Sequence, residues 1–495
     1  MASGAAFDGD RPVHIETHIS HLFLVGQRAF KMKRDVKLNF ANLATLEKRH
    51  TACQREIILN RRTAPTLYLA CLPITDDDGV LCLNGVGEPV EYVVEMQRFA
   101  QTDLFDRMAN QGPLPRPILA NLAEQIIAFH NEAEPRPNWG GEAPMRRNAR
   151  DVHNNLRQFG ADFLDPADID RWGTAIDAEF ARHGALLDER RDSGLVRQCH
   201  GDLHLGNICL FEGTPTLFDC IEFSDRLACI DVLYDLAFLV MDLQFHSLKA
   251  EASLVLNRYL SATRDYAGLS LMPAFLSLRA AIRAMIAAID VANDILDDDT
   301  TRADAAAHLA LALQLIEGGQ NKPHLIAIGG LSGSGKSTLA RQLTPALGPT
   351  TLQLGTDVIR KRLHGVTPET TLPKAAYSGE VSARTYGILF EDTATSLAAG
   401  QTVIADATFI RPQDRDMVER LARNANIAFT GIWLDISEDE AIIRVNARSG
   451  DPSDADAAVV TRQRAEPSGN ISWHRLDATK DGLVADILDL ARAQK

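Results

Sequence analysis

One glycine-rich segment constrains the fold of this chain more than any other feature. Residues 330–338 read Gly-Leu-Ser-Gly-Ser-Gly-Lys-Ser-Thr, follow the apolar run Leu-Ile-Ala-Ile at 325–328, and begin a segment with helical periodicity. Between a strand and a helix, such glycines let successive backbone N–H groups curl around phosphate oxygens, and the helix N-terminus adds partial positive charge. The sequence therefore predicts a phosphate-binding loop at this position.

The side chains of this loop have separate expected roles. Lys336 is expected to reach the transferring phosphoryl group as a catalytic residue, and the Ser337 hydroxyl is expected to hold Mg²⁺. The groups expected to surround the nucleotide belong to Gly330, Ser332, Gly333, Ser334, Gly335, Lys336, Ser337 and Thr338. This pattern predicts ATP and Mg²⁺ as cofactors.

Two carboxylates further along the chain fit the same predicted sheet. Asp406 ends the apolar run at 402–405, where a carboxylate either orients a metal ion and water or caps a turn. Asp357 is expected at the end of the second strand, across from the γ-phosphate, where it can accept the proton of an acceptor hydroxyl. Arg360 lies one helical turn later and is a candidate clamp for the acceptor.

Two arginines are expected to share one face of a helix that follows residues 434–435. Arg444 and Arg448 are four residues apart, which places them one above the other on a helix. They are candidates for a lid over the phosphates, with Arg448 as the catalytic member and Arg444 as a nucleotide contact. A solvated helix face is the alternative interpretation of the pair.

A second phosphate-handling pattern lies upstream in an unrelated context. Residues 200–207 read His-Gly-Asp-Leu-His-Leu-Gly-Asn, and Leu-Phe-Asp follows at 217–219. Asp202 is expected to accept the acceptor hydroxyl proton, and Asn207 and Asp219 are expected to hold Mg²⁺. Because phosphoryl transfer needs charge neutralisation more than covalent help, the three residues together predict a second transfer site.

The expected partners of that site lie near the N-terminus. Lys31, in Ala-Phe-Lys at 29–31, is the candidate for the lysine that holds the α- and β-phosphates, and Lys33 is a competitor because it points to the same face of a strand. Glu56 falls on a predicted helix and either pairs with that lysine or is a solvated helix glutamate. Glu222, Asp225, Asp231 and Asp235 form an acidic segment, part of which is expected to line an acceptor pocket.

The order of predicted elements gives two domains, as a chain of 495 residues requires. A β-rich segment precedes a mostly helical one over residues 1–318, which predicts an α+β bilobal kinase-like fold. Strands and helices alternate over 319–495, which predicts an α/β P-loop NTPase with a parallel sheet. Within the first domain, residues 168–190 are predicted as one helix, and strands after it are expected only around 208–218.

These motifs carry a family resemblance. Residues 15–300 resemble the aminoglycoside phosphotransferase family, most firmly over 200–235, although Thr-His-Ile-Ser-His at 17–21 stands where a glycine-rich loop is expected. Residues 319–495 resemble the P-loop kinases that include gluconate, shikimate, zeta-toxin and polynucleotide 5′-hydroxyl kinases. The whole chain resembles bacterial fusions of the two domains, and that resemblance implies an ATP-dependent kinase.

Two readings of the function follow. In the first, each domain transfers the γ-phosphoryl group of ATP to a hydroxyl of a small-molecule acceptor. In the second, the N-terminal domain senses a ligand and regulates a P-loop kinase for a small molecule or a polynucleotide 5′-hydroxyl. The net charge of −15, carried almost entirely before residue 319, argues against nucleic acid as a partner.

The bulk composition bounds the compartment. The chain has no run of 18 apolar residues, and its N-terminus lacks the basic and apolar regions of a signal peptide. Its seven cysteines show no metal-ligand spacing and are expected to be reduced thiols. We therefore expect a cytoplasmic enzyme without a membrane partner, while the oligomeric state stays open.

Overall fold

The computed structural model describes residues 7, 11–17, 19–37, 42–293, 295, 298–318, 322–447 and 452–493. The chain forms two compact units. The first unit combines Met1–Asn154 with Phe180–His246, and the second combines Asn155–Glu179 with Ser247–Lys495. These units reflect how the chain packs, and each is made of two separate segments. They do not test the predicted boundary between two sequence domains at residue 318, which stays a prediction.

The first unit begins with an antiparallel sheet in the order β1-β2-β3-β6-β4-β5. Strands β2 and β3 form the hairpin expected around Gly26, where φ is +51°. The strands are β1 (Val13–Glu16), β2 (Ser20–Val25), β3 (Arg28–Lys33), β4 (Tyr68–Asp77), β5 (Val80–Leu83) and β6 (Glu88–Gln97).

Helix α1 (Leu46–Asn60) covers one face of this sheet and is capped at its N-terminus by Thr45, whose hydroxyl accepts a hydrogen bond from Lys48 N. Because side chains alternate along a strand, Ala29 packs toward α1 and Phe30 packs into a separate cluster on the other face. Lys31 and Lys33 are two and four residues beyond Ala29, so the alternation places them on the α1 face as well.

The chain after the sheet is mostly helical, with two short strand pairs. Strand β7 (Val196–Gln198) pairs with β10 (Cys229–Asp231), and β8 (Ile208–Phe211) pairs with β9 (Thr214–Leu217). The helices are α2 (Phe105–Ala109), α3 (Arg116–Glu132), α4 (Glu142–Phe159), α5 (Pro166–Arg182), α6 (Gly184–Asp192), α7 (Asp225–Ala228) and α8 (Val232–Phe245).

Two expectations for this stretch are wrong. The helix predicted over 168–190 is two helices, α5 and α6, which are separated at His183. Strands occur before residue 208 as well, since β7 precedes the phosphate-handling pattern at 200–207. Helix α8 is apolar on nearly all sides, as its sequence indicates, and it is therefore buried over most of its length.

The second unit contains a five-stranded parallel sheet in the order β12-β13-β11-β14-β15. Its core is aliphatic and includes Ile326, Ile404 and Ile432 from the three central strands. The strands are β11 (His324–Gly330), β12 (Leu352–Gly355), β13 (Val403–Asp406), β14 (Ala428–Asp435) and β15 (His474–Asp477). This confirms the predicted α/β fold with a parallel sheet.

Helices of the second unit precede the sheet and connect its strands. Helices α10 and α11 pack against each other, and α9 contacts β12. The helices are α9 (Lys249–Thr263), α10 (Met272–Ala292), α11 (Asp299–Gly318), α12 (Lys336–Leu347), α13 (Thr356–Leu363), α14 (Gly379–Ala398), α15 (Pro412–Ala425), α16 (Glu438–Asn446), α17 (Ala457–Ala465) and α18 (Leu483–Ala493). Among the described residues, none of the helices combines the length and apolar character that crossing a bilayer requires.

Candidate active sites

The predicted base and one predicted metal ligand of the first unit lie in contact. Asn207 Nδ2 donates to both the backbone oxygen and Oδ2 of Asp202, each at 2.9 Å. His204 Nε2 lies 3.4 Å from the same Oδ2. The amide nitrogen of Asn207 is thus bound to Asp202. Its Oδ1 is the side-chain atom with the chemistry of a magnesium ligand.

A buried carboxylate fixes the loop that carries Asp202. Asp235 on α8 accepts hydrogen bonds from His200 N at 3.1 Å, Gly201 N at 2.8 Å and His130 Nε2 at 3.1 Å. Gly201 has a φ of +86°, and a Cβ at this position would lie 2.9 Å from Leu227 O. Glycine is therefore required where the loop turns, and Asp235 holds the turn from inside the core.

Asp219, the other predicted metal ligand, has a left-handed backbone with a φ of +64°. Its N–H donates to the Tyr68 hydroxyl at 3.0 Å, and the next N–H, of Cys220, donates to Asn60 Oδ1 at 2.8 Å. A non-glycine residue in this region is conformationally costly and persists where surrounding contacts enforce it. These contacts bring the carboxylate to Lys31, whose Nζ lies 2.5 Å from Asp219 Oδ1.

The two candidate lysines have different neighbours. Lys31 Nζ lies 2.8 Å from Glu56 Oε1 and also contacts Asp219, and its side chain is 13% exposed. Lys33 is completely buried, and its Nζ lies 2.6 Å from both Glu56 Oε2 and Glu222 Oε1. The geometry favours Lys31 as the phosphate lysine, because it reaches the predicted metal carboxylate and remains accessible.

Glu56 itself is completely buried, so its interpretation as a solvated helix glutamate is wrong. Burial acts to raise the pKa of Glu56, but Lys31 and Lys33 outweigh it and lower this pKa to about 2. For Glu222, burial wins over the attraction of Lys33 and raises the pKa above its usual range. Glu56 therefore stays ionised and holds Lys31 through their ion pair.

The four acidic residues of the segment 222–235 form ion pairs or hydrogen bonds with other elements. Arg190 forms a buried ion pair with Asp231 at 2.6 Å, Lys33 pairs with Glu222, and Asp235 holds the loop described above. Asp225 contacts Arg55. Each of these carboxylates thus has a partner in another element, and the expectation that part of the segment lines an acceptor pocket stays a prediction.

In the second unit, the glycine-rich loop has the backbone that its sequence predicts. The φ values of Gly330, Gly333 and Gly335 are +142°, +87° and +87°. A Cβ at Gly330 would lie 2.8 Å from Leu434 O, and one at Gly333 would lie 2.6 Å from Ala441 O. The loop thus needs glycine for both its dihedral angles and its close approach to the neighbouring chain.

The other loop residues lie at the start of α12. Lys336 Nζ donates to Leu331 O at 3.0 Å, and Ser337 O accepts from Gln353 Nε2 at 3.3 Å. Ser332 N donates to Gln463 Oε1 at 2.8 Å, a contact that no motif indicated. Ser334 is buried under the loop, while Thr338 is exposed at the first turn of the helix.

The two carboxylates of the second unit converge near Lys336. Asp406 is buried at the end of β13, beside Gly355 of β12. Asp357 lies in the first turn of α13, two residues beyond the strand end where it was expected. Burial and the nearby charge of Asp406 raise the pKa of Asp357, while Ser453, Lys336 and Arg360 act in the opposite direction.

Arg360 and Arg444, one of the two predicted lid arginines, form hydrogen bonds within the protein. Arg360 Nη1 donates to Ala376 O at 2.9 Å, and its guanidinium lies 4.7 Å from the centre of the Tyr377 ring. Arg444 Nε donates to Glu440 Oε1 at 3.0 Å, and both of its Nη atoms lie 3.3 Å from Ala478 O. Arg448 lies outside the described residues.

A cavity of about 820 Å³ opens beside the glycine-rich loop. Gly333, Gly335, Thr338 and Arg444 line one part of it. Another part is lined by residues 480–484, in the turn before α18 and at the start of that helix, which the sequence analysis did not single out. A cavity next to a phosphate-binding loop has the location expected for the base and ribose of a nucleotide.

Comparison with known proteins identifies both domains of the chain. The model of the phosphotransferase enzyme family matches residues 48–271, and the model of an AAA domain matches residues 325–467. Proteins of Mycobacterium tuberculosis and Mycobacterium bovis, both described as uncharacterized, are 31% identical over 469 residues, covering 93% of this chain and 91% of each relative. The chain belongs to the family that joins an aminoglycoside phosphotransferase-like domain to a P-loop kinase domain, and it is an ATP-dependent phosphotransferase.

Solved structures are also similar to parts of the chain. A choline/ethanolamine kinase family protein from Mesorhizobium loti matches 62% of this chain and 88% of its own, with 16% identity and a TM-score of 0.40. A gluconokinase from Sinorhizobium meliloti matches 35% of this chain and 93% of its own, with 20% identity and a TM-score of 0.25.

Proposed function

We propose that this protein has two nucleotide sites and that each site transfers the γ-phosphoryl group of ATP to a hydroxyl of a small-molecule acceptor. The observation that carries the proposal is that each unit brings together a basic residue, a candidate base and oxygen ligands for a cation. In the first unit these are Lys31, Asp202 and the pair Asn207 and Asp219. In the second they are Lys336, Asp357 and the pair Ser337 and Asp406.

In the first unit, Asn207 and Asp219 would hold Mg²⁺, because amide and carboxylate oxygens are the hard ligands this cation prefers. When bound, the ion neutralises charge on the phosphates. Lys31 contacts the α- and β-phosphates, and Asp202 takes the proton of the acceptor hydroxyl as that oxygen forms its bond to the γ-phosphorus. The bond to the bridging oxygen breaks, and ADP leaves with the electron pair.

In the second unit, Asp357 takes the acceptor proton and Lys336 contacts the transferring phosphoryl group. Ser337 and Asp406 would hold the cation, while the cavity beside Gly335 and Arg444 receives the rest of the nucleotide. The raised pKa of Asp357 suits a base, because a carboxylate that is easier to protonate accepts a proton more readily. Arg448 is assigned to this site from the sequence alone.

One observation favours the second reading, in which the first unit senses a ligand. Thr17 follows β1 where a glycine-rich loop would cover the phosphates, and its Oγ1 accepts a hydrogen bond at 3.1 Å from the N–H of Ser20, the first residue of β2. A turn closed on itself in this way offers fewer backbone N–H groups to a nucleotide. In this reading the acceptor of the P-loop kinase is a small molecule or a polynucleotide 5′-hydroxyl, and a cytoplasmic location is part of the proposal in either reading.

Two single variants separate the readings. Full-length Asp202→Asn and Lys336→Ala proteins are tested for ATP-dependent phosphorylation of a small-metabolite library, with ADP release as the readout. The two-site proposal predicts that each variant loses a different set of products. If Asp202→Asn keeps every product of the wild-type protein, the first unit is not a catalyst and the regulatory reading replaces the proposal.

A further inference from the structure

One asparagine of helix α9 binds the open edge of the parallel sheet. Asn257 Oδ1 accepts a hydrogen bond from Gln353 N at 2.7 Å, and Asn257 Nδ2 donates to Thr351 O at 3.1 Å. Strand β12 is the edge strand, so this amide occupies hydrogen-bonding positions that a further strand would otherwise take. The backbone of Gln353 is therefore fixed by a side chain from α9.

The side chain of Gln353 extends toward the proposed magnesium ligands. Its Nε2 lies 3.4 Å from Asp406 Oδ2 and 3.3 Å from Ser337 O. Both distances are at the long end for an N–H···O hydrogen bond, so neither contact alone would hold the amide in place. The position of the amide depends on the backbone of β12, and the short bond from Gln353 N to Asn257 fixes that backbone.

We propose that Gln353 is a positioning residue for Asp406, and that Asn257 fixes Gln353 so that metal binding at the P-loop depends on helix α9 being bound to β12. This inference rests on the proposed role of Asp406 as a magnesium ligand. A donor on one carboxylate oxygen limits the rotation of the carboxylate and would favour one orientation of Asp406 for holding the cation. Such supporting partners change metal affinity or activity by about 10- to 100-fold when removed.

Helix α9 and Asp406 belong to segments of the chain that match two different families. Helix α9 lies within residues 48–271, which match the phosphotransferase family, whereas Asp406 lies within residues 325–467, which match the AAA domain. A residue from the first family segment therefore reaches, through one glutamine, the proposed metal site of the second. Any ligand that shifts α9 would alter magnesium affinity at the P-loop by this route.

Helix α9 also has a contact that does not involve Gln353. Arg258 pairs with Glu369 through two bonds of 2.6 and 3.0 Å. The Arg258→Ala variant therefore weakens the attachment of the same helix from the adjacent residue without touching Gln353. It is the matched control for Asn257→Ala, because both variants truncate a polar side chain of α9 that binds the same unit.

The test uses full-length protein carrying Asp202→Asn, so that only the P-loop site turns over ATP, and measures turnover against Mg²⁺ concentration. Isothermal titration calorimetry of Mg²⁺ into the same proteins with a non-hydrolysable ATP analogue measures the change in Mg²⁺ affinity without turnover. Gln353→Met, which keeps the side-chain length and removes the donor, is expected to raise the half-saturating Mg²⁺ concentration on the order of 10-fold while turnover at saturating Mg²⁺ is retained. Asn257→Ala is expected to raise it several-fold, and Arg258→Ala to leave it unchanged. Thermal unfolding without Mg²⁺ reports whether each variant is folded.

Two results would overturn the inference alone. One is a Gln353→Met protein with the Mg²⁺ dependence of its parent. The other is an Arg258→Ala protein with the same loss as Asn257→Ala, since general loosening of the helix would then explain both. A parent protein whose turnover or nucleotide binding does not depend on Mg²⁺ would overturn the proposed function together with this inference, so the two failures are distinguishable.

Discussion

Replacing Glu56 by glutamine tests the buried charge cluster of the first unit. The substitution keeps the shape of the side chain and removes its charge. Lys31 and Lys33 then remain beside an uncharged partner, although Glu222 and Asp219 each still contact one of them. We expect Glu56→Gln to destabilise the sheet and α1 and to weaken nucleotide binding at Lys31.

The structure sets the size of the effect. Lowering the pKa of Glu56 from its usual value of about 4.5 to about 2 corresponds to about 3 kcal/mol of stability at neutral pH. Removing one partner of a buried ion pair costs roughly 3–5 kcal/mol, which is the same range. We therefore expect Glu56→Gln to lower the free energy of unfolding of this region by about 3 kcal/mol at pH 7.

The pH dependence has a definite sign. Because the pKa of Glu56 is lower in the folded protein, its contribution is fully present above the unfolded value near 4.5 and is lost as the pH falls toward 2. The stability difference between the wild-type and Glu56→Gln proteins should hence be constant from pH 7 to about pH 5. Below that pH it should shrink by about 1.4 kcal/mol per pH unit.

Native-state hydrogen exchange of peptides from β3 and α1 measures this local stability. The matched control is Glu47→Gln, because Glu47 is an exposed glutamate in the first turn of the same helix. The control is expected to change the opening free energy by at most about 0.5 kcal/mol. A loss below about 1 kcal/mol for Glu56→Gln, or a loss equal to that of the control, would refute the reasoning.

Three further predictions follow from the loops and from Asp357. Gly333→Ala should abolish nucleotide binding at the P-loop in calorimetry, because the Cβ would lie 2.6 Å from Ala441 O, whereas Gly387→Ala inside α14 should stabilise by about 0.5–1 kcal/mol. Asp235→Asn should remove the products that depend on the first unit, at a cost of about 2–4 kcal/mol in urea unfolding, and leave P-loop products intact. As the pH is lowered, kcat/KM for P-loop products should decrease with an apparent pKa above the ordinary aspartate value, because Asp357 must be ionised to accept the proton. This decrease should be absent if Asp357 is not the base.

Much of the fold follows from patterns in the sequence. Helix α8 is apolar on nearly all sides and is correspondingly buried, and the run at 325–328 lies in the central strand β11 as its lack of polar residues indicates. The separation of α5 from α6 was missed because residues 168–190 continue the helical periodicity across His183. Breaks of this kind depend on tertiary contacts that periodicity does not encode.

The site residues divide in the same way. The loops around Gly330 and Asp202 were predictable because their chemistry demands fixed residue types at fixed spacing. His130 and Gln353 were not, since each acts by contacting a residue of another element and neither belongs to a motif. Lys31 could be distinguished from Lys33 only once the positions of Asp219 and Glu222 were known, because both lysines lie on one strand face.

The number of nucleotides bound per chain tests the central claim most directly. Native mass spectrometry or calorimetry with Mg²⁺ and a non-hydrolysable ATP analogue should give two bound nucleotides for the wild-type protein. Lys336→Ala should leave one, and combining it with Lys31→Ala should leave none. Binding of a single nucleotide by the wild-type protein at saturation would contradict the account. Nucleotide binding by the protein that carries both substitutions would contradict it as well.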